Sequence, residues 1–501
     1  MPPTAVKITL IILLLISFSL HGQVGPDDGT RVCSRFIGFS VANMPMETQT
    51  LEIAKGIFAD TTSFNQNIFT TVLLKNDKTT AKVPTFGTDY TWRIKEKKNL
   101  HYFSTLPCPY ADTAKSRLRI VKGSQTDQDY YVLVDKTMCL YDMKGNIAWF
   151  LPGKCLSGTA GTIRDLKLTP QHTVTFIAGN QIREVDCDGN ILWKGPNDGK
   201  VSHDTTEAYH HEFTRLVNGH YMVLANELVP MTWVKSPSGD SSLIAIEEPA
   251  HQRDPKARRL TASYGTIIEY DKFGKLLWSW KSSSYYKNVA FRDCKTKKPV
   301  LDLHENAFFY DEKTSSIYIS YKNLSQVIKL KYPEGEIQNI LGNLYYVNAP
   351  CSDTALFWEQ HACKISSDGY LMLFNNNVNN LDSSPIVELL EEPANSKYYL
   401  KKVWEYQYPI NHKGMKRLPL TNGGNVIELS DKSIFVSMCT PYGNLFIVNR
   451  NKELLWDAVL EKLNAGDKKW IPVSQYRASI IEDRKSLDNL IMTARTLPNQ
   501  K

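Results

Sequence analysis

From about residue 118 onward, apolar and polar positions alternate in short runs, each closed by a polar turn. Alternation with a period of two marks half-buried β-strands, and no stretch sustains the apolar spacing of an amphipathic helix. The runs fall into two interleaved units. In the first, a tight turn leads into an apolar strand ending in tryptophan: MKGNIAW to Trp149, CDGNILW to Trp193, KFGKLLW to Trp278 and RNKELLW to Trp456. Degenerate copies, YPEGEIQNIL from Tyr332 and YYLKKVW ending at Trp404, bring the number to six. Glycine in the turn supplies the positive φ that a tight hairpin needs, and the aromatic caps an outer strand.

The second unit lies between copies of the first. It reads IRDLKLTPQHTVTFIA from Ile163, HHEFTRLVNGHYMVLANE from His210, HENAFFYDEKTSSIYISYKN from His304 and HACKISSDGYLMLFNNN from His361. GNVIELSDKSIFVSMCT from Gly424 and YRASIIEDRKSLDNLIMTA from Tyr476 complete a second set of six. Four short strands per repeat, with irregular loops between them, predict an all-β fold: a six-bladed β-propeller over residues 118–501.

Residues 23–117 lack this repeat. Their β-type runs (Arg35 to Val41, Ile68 to Leu74, Tyr90 to Ile94), punctuated by Pro84, Pro107 and Pro109, predict a small N-terminal β-sandwich. Ahead of them Lys7, the apolar run Ile8 to Leu20 and the small residue Gly22 read as a signal peptide over residues 1–22, too short to span a bilayer. An exported protein, periplasmic or extracellular and without a membrane span, is expected. The interval from Glu227 to Tyr264 is too long for a blade connection and reads as an inserted loop or hairpin. It is either a lid over the site, with Trp233 as an apolar wall, or a surface excursion or dimer contact.

A net charge of +7, spread without basic runs, gives no reason to expect a nucleic-acid partner. Nine cysteines in an exported chain lead to an expectation of disulfides with one thiol left over, and Cys351–Cys363, which brackets His361, is the first pairing suggested.

The chemistry lies in the second unit. The inner strand of each propeller blade starts near one end of the central channel, so equivalent positions of different blades converge there. His211, His304 and His361 occupy that position in three blades, and Arg164 and Arg477 in two others. Adjacent fixed cations would oppose a zinc ion held by neutral imidazoles, so no metal is expected. Quinone-cofactor propellers, the other expectation for a repeat ending in tryptophan, often carry a vicinal cysteine pair that this chain lacks. A histidine nucleophile among cationic donors suits transfer of a sulfuryl or phosphoryl group.

The His-His-acidic motif at His210, His211 and Glu212, the His-x-Asn motif at His304 and Asn306, the WxQH-like motif at Trp358, Gln360 and His361, and the closing QYRA at Gln475 to Ala478 together resemble the bacterial arylsulfate sulfotransferases of the PAPS-independent kind. The resemblance covers about residues 118 to 497. It implies a six-bladed propeller behind an N-terminal β-sandwich, often homodimeric. It also implies transfer of a sulfuryl group from a phenolic sulfate ester to a phenol acceptor through a sulfohistidine, without a cofactor. Carried onto these residues, it makes His361 the nucleophile and His211 the general acid/base, with His210 beside it as the alternative or as a substrate contact. His304 and Asn306 would bind the sulfuryl oxygens, and Arg477 and Arg164 would contribute to substrate binding. Lys322, in SYKN, stands where the family has arginine, which keeps the charge and loses the two-pronged donor geometry. Two other readings stay open: a non-catalytic exported propeller that binds an anionic or sulfated ligand, and a hydrolase in which water replaces the acceptor.

Overall fold

The two interleaved units become the outer and inner parts of antiparallel sheets. The computed structural model describes residues 24–41, 48–74, 78–110, 115–159, 161–235, 241–245, 259–286, 300–342, 356–378, 384–392, 400–410, 423–438 and 442–496. Clustering of contacts divides the chain into two units. The smaller is built from Gly38–Ala81 and Asp89–Ser104 with the chain up to Thr30; the larger takes Arg31–Ile37, Lys82–Thr88 and Thr105–Lys501. The division is therefore not the single cut at residue 117 expected from composition. Within the smaller unit, strands Gln49–Lys55, Ile68–Leu74 and Asp89–Ile94 share one sheet. Phe39, on a strand of another sheet, meets Trp92 and Phe103 edge-on at 5.1 and 6.0 Å, the face-to-face packing expected of a sandwich.

In the larger unit, each full repeat makes one sheet built on four strands, to which the third blade adds Ser241–Ala245 and the sixth adds Trp470–Pro472 and Ser116–Lys122. The second blade, for example, is Ile163–Leu168, Val174–Ala178, Gln181–Val185 and Ile191–Lys194. The third begins at Ala208–Arg215, the fourth at Glu305–Asp311, the fifth at His361–Ile365 and the sixth at Asn425–Glu428. The first blade is shared by two distant stretches of chain. Tyr131–Val134, Cys139–Asp142 and Ile147–Phe150 receive the last strand, Ala478–Ile481, as their innermost member. Successive inner strands are neighbours from 163–168 round to 478–481, which again lies beside 163–168. The described residues thus form a closed propeller of six blades.

Each repeated tryptophan does more than cap an outer strand. Trp149 Nε1 donates to the Cys187 carbonyl at 2.7 Å, and Trp278 Nε1 donates to Pro333 at 2.8 Å. Trp404 Nε1 donates to Arg450 at 2.8 Å and Trp456 Nε1 to Met143 at 3.0 Å, in every case a turn of the following blade. Trp193 instead stacks on Tyr221 of the next blade, with centroids 3.8 Å apart. The receiving turns are rigid for a local reason. Asp186 Oδ1 accepts from the amides of Asp188 and Asn190 at 3.0 and 2.9 Å, and Gly189 takes the left-handed φ of 80° that the turn requires.

The structure corrects two expectations and, for the insertion expected as a loop or a hairpin, gives the hairpin. The final copy of the second unit is not a hairpin: after its first strand closes the first blade, Arg484–Thr496 is a helix. Leu487, Leu490 and Ile491 recur at helical spacing and bury into one cluster with Trp149 and Phe176, while Asp483 Oδ1 accepts the Ser486 amide at 2.6 Å at the helix start. The Cys351–Cys363 bridge is not formed. Cys363 is a buried thiol whose Sγ points at the Tyr318 carbonyl, 3.5 Å away, and Cys351 lies outside the described residues. No disulfide joins any of the described cysteines. The insertion is a hairpin arm: Tyr221–Lys235 and Arg259–Tyr270 stay paired out to Thr232 and Arg259, and Ser241–Ala245 folds back on the arm. Residues 246–258 and the side chain of Trp233 lie outside the described part.

If the tryptophans couple blades, the loss can be graded. Trp456 is fully buried at 0 % exposure. Trp456→Phe, which loses the indole donor, should cost about 1 kcal/mol, and Trp456→Ala about 3–5 kcal/mol, read as falls in the urea midpoint.

Candidate functional site

The inner strands are not regular where the site forms. Their pairing slips between Arg164 and Lys167, Tyr209 and Phe213, Glu305 and Ala307, and His361 and Cys363. Asp165, His211 and Ala362 take positive φ within these bulges, at 55°, 60° and 50°, and His304 does so at 58° just before its strand. A bulge breaks the strict alternation of faces and re-aims a side chain. Here it gathers imidazoles from separate blades. The rings of His211 and His304 lie 5.1 Å apart, nearly perpendicular at 79°. The Tyr476 ring bridges onward, 5.7 Å from His211 and 6.2 Å from His361.

His361 is buried, with 1 % of its surface exposed. Gly423 donates its N–H to Nε2 at 3.2 Å, so the neutral ring carries its proton on Nδ1. The Glu359 carbonyl accepts a hydrogen bond from the ring, and the Asn376 amide lies 2.8 Å from Nδ1 while donating to that same carbonyl at 2.6 Å. The outcome is an oriented ring with its Nε2 lone pair on the side of Gly423. Only glycine fits there: φ is 95°, and a Cβ would sit 2.5 Å from the Tyr476 carbonyl.

His211 is oriented by a relay. Asn226 Oδ1 lies 2.7 Å from His210 Nε2, and His210 Nδ1 lies 2.6 Å from His211 Nδ1. An amide oxygen can only accept, so His210 carries its proton on Nε2 and accepts at Nδ1 from His211. The Nε2 of His211 is then left with its lone pair.

Burial above all, and then the charges of Arg477, Lys322 and His304, hold His361 well below the usual histidine range. Burial followed by His210, His304 and Arg477 does the same to His211. Burial chiefly brings His210 down to about 4. All three are neutral at neutral pH. Burial pushes the Tyr476 phenol up to about 12, so it stays protonated.

The other expected residues divide. Lys322, 8 % exposed, pairs through Nζ with Glu359 Oε2 at 3.2 Å, beside the His361 segment. His304 Nδ1 lies 3.1 Å from Asp302 Oδ2. Asn306 is buried; its amide donates to the Gln360 carbonyl at 2.8 Å, and its Oδ1 has no partner among the described residues. Arg164 lies 5.3 Å from the Tyr476 ring centre, with no ion pair or hydrogen bond among the described residues. Arg477 differs from what its motif suggested. It is 2 % exposed, and Nη1 donates to Asp165 Oδ1 at 3.1 Å, Glu212 Oε2 at 2.6 Å and the His211 carbonyl at 3.0 Å. Its Nη2 donates to the Asn306 carbonyl at 2.7 Å. These donors face protein, so Arg477 acts on the site as a buried charge and a brace.

Sequence reasoning missed Tyr476, Gly423, Glu359, Asn226 and Asn376. A signal did exist for the last two, because each follows the apolar run that returns from a histidine hairpin, in MVLANE and LMLFNNN.

Residues 234–416 match the family described as Arylsulfotransferase (ASST). That stretch contains His304, Asn306, Lys322 and His361, while His210, His211, Arg164 and Arg477 fall outside it. No curated protein matches the chain. Among solved structures, the periplasmic gluconolactonase PpgL of Pseudomonas aeruginosa is similar at 10 % identity and a TM-score of 0.37, covering 73 % of this chain and 99 % of that one. A protein of unknown function from Bacteroides caccae is 12 % identical with a TM-score of 0.35, over 68 % of this chain and 93 % of that one. The propeller domain of a Myceliophthora thermophila Cps50 (Swd1) is 10 % identical with a TM-score of 0.34, over 71 % and 99 %. At these scores the likenesses add nothing to the fold read from the strands.

Neutral buried histidines make stability depend on pH. Once unfolded they take up a proton near pH 6.5, whereas in the fold they do so only at lower pH. The unfolded chain therefore binds more protons below about pH 6.5, and stability is lost as pH falls through that window, by up to about 1.4 kcal/mol per unit for each histidine. Urea midpoints between about pH 7.5 and about pH 5 should fall on the acid side, and His210→Gln should flatten the slope.

Proposed function

We propose, from the premise that the chain belongs over residues 234–416 to the arylsulfotransferase family, that it is an aryl sulfotransferase working through a sulfohistidine at His361. The observation that carries the reading is the convergence of three blades' imidazoles, with the rings of His211 and His304 5.1 Å apart and Tyr476 packed between His211 and His361. A neutral, oriented Nε2 is what a nucleophile needs, and surrounding cations favour an anionic donor.

The first step forms a bond from His361 Nε2 to sulfur as the bond from sulfur to the phenolic oxygen breaks. Phenols titrate near pH 10, so the departing oxygen gains from a proton, supplied by His211 Nε2; a positioned acid is worth roughly 10² to 10⁴ in rate. His211 is held neutral by burial and by neighbouring positive charge. An anionic sulfate ester offsets that field, so His211 takes up its proton in the complex. In the second step the acceptor phenol gives its proton to His211 and attacks sulfur, and the bond to His361 breaks. His304, Lys322, Arg164 and the Asn306 amide would stabilise the sulfuryl oxygens, and the Gly423 N–H, facing Nε2, is placed to reach one of them.

Incubation with para-nitrophenyl sulfate and phenol tests this. Coloured nitrophenolate should appear only as phenol is consumed, and intact mass should record one added SO₃ on the peptide carrying His361. His361→Ala should remove both signals while the circular dichroism spectrum is unchanged; retained turnover would exclude it as nucleophile. Colour without phenol would indicate a hydrolase, and binding of the ester without turnover a non-catalytic propeller. Lys322→Arg should keep or raise the rate, because it restores a forked donor; a large loss would mean that the pairing with Glu359 demands lysine.

A further inference from the structure

Among the described residues, one site imidazole is held by a carboxylate. Asp302 Oδ2 lies 3.1 Å from His304 Nδ1, and a carboxylate can only accept, so the ring carries its proton on Nδ1. The other oxygen, Oδ1, accepts the His304 backbone N–H at 2.9 Å and so supports the left-handed φ of 58° that His304 adopts. His361, by contrast, is set by the Glu359 carbonyl, the Asn376 amide and the Gly423 N–H. The relay through His210 and His211 ends on the Asn226 amide oxygen.

The segment that carries Asp302 is itself fixed on both sides. Ser263, at the root of the inserted arm, forms a parallel bridge with Asp302, and its N–H donates to the Leu301 carbonyl at 2.7 Å. From the strand end that carries Lys322, the Asn323 side-chain amide donates to the Asp302 carbonyl at 2.8 Å, and the Lys322 N–H donates to the His304 carbonyl at 3.0 Å. The Asp302 side chain is 54 % exposed and that of His304 31 %. Water screens the charge of Asp302, whereas its two hydrogen bonds are set by the backbone that carries both residues.

We propose that Asp302 is a positioning residue of the site, holding His304 with its proton on Nδ1 and leaving Nε2, at the far edge of the ring, to meet an oxygen of the anionic substrate. Nε2 has no hydrogen-bond partner among the described residues, and the ring lies 5.1 Å from that of His211. A sulfuryl oxygen only accepts, so His304 serves it as a donor once Nε2 also carries a proton. The positive ring then stands between two anions, Asp302 at Nδ1 and the substrate at Nε2. The inserted arm reaches the site through the pairing of its root with Asp302. The task given to His304 rests on the sulfotransferase reading; its orientation by Asp302 does not.

The test is calorimetric binding of para-nitrobenzenesulfonate, whose sulfur–carbon bond leaves no group to transfer, to the full chain. Asp302→Asn still offers an oxygen to the His304 N–H but no carboxylate to Nδ1, and it should weaken binding by at least about tenfold. A carboxylate that acted only through its charge would repel the sulfonate, so its loss would tighten binding. Binding unchanged or tightened in Asp302→Asn, or absent in the wild type, overturns the assignment. In a His304→Gln chain the same substitution should change affinity by less than about twofold, because its effect runs through the ring; a second full loss there also overturns it. With para-nitrophenyl sulfate, kcat/KM should fall by about 10² in Asp302→Asn. If no chain turns over the ester while sulfonate binding follows Asp302, the transferase reading fails and this one stands. Wild-type turnover with sulfonate binding indifferent to Asp302 has the opposite meaning. Should Asp302→Asn fail to fold, ¹⁵N spectra of histidine-labelled wild type decide, with the His304 signals identified by their absence from His304→Gln. A proton on Nδ1 supports the assignment, and a proton on Nε2 alone rejects it.

Discussion

One guanidinium holds the mouth of the ring together. Arg477 precedes the strand that closes the first blade, and it reaches Asp165 on the second, Glu212 and the His211 carbonyl on the third, and the Asn306 carbonyl on the fourth. Lys167 ties the same two carboxylates from the second blade. A buried pair of this kind adds little net stability over an apolar replacement, yet losing one partner strands a charge at a cost of about 3–5 kcal/mol. Its effect here is positional. Asp165 and His211 both stand at bulges with positive φ, so the irregularity that turns a carboxylate inward also turns an imidazole toward the channel. Closure of the propeller and assembly of the histidine cluster are one event.

The fold was legible because it is repeated. Copies of a turn ending in tryptophan can be aligned within a single chain, and each indole's contact with the following blade, a hydrogen bond for four of them and a stacked tyrosine for Trp193, explains why the residue recurs. The histidines at the matching position of three hairpins, His211, His304 and His361, were legible for the same reason. What lay out of reach was whatever depends on geometry between repeats. Glu212 reads as an ordinary acidic residue after two histidines, yet its two oxygens hold Lys167 and Arg477. Arg477 reads as a substrate contact, because a motif says which residues meet but not which way a guanidinium faces. The closing helix was missed because Leu487, Leu490 and Ile491 follow a strand in a copy of a unit that elsewhere turns back. There the partner strand had already been supplied by Tyr131–Val134, and local helical spacing prevailed.

Charge and orientation also account for the order of the proposed chemistry. The hydrogen bonds around His361 and His211 fix a lone pair on Nε2 of each ring, and burial above all keeps both neutral, so both imidazoles stand as bases. Such a site cannot protonate a departing phenolate until something raises the affinity of His211 for a proton. A neutral phenol would not do so, whereas a sulfate ester carries its negative charge into the cluster formed by His304, Lys322 and Arg164. In the proposed mechanism the donor thereby converts His211 into the acid that its own cleavage would need, and transfer of the sulfuryl group to His361 would leave His211 as the base for the acceptor. In this scheme the cationic surroundings do more than bind: with burial, they hold His211 unprotonated until an anion has entered.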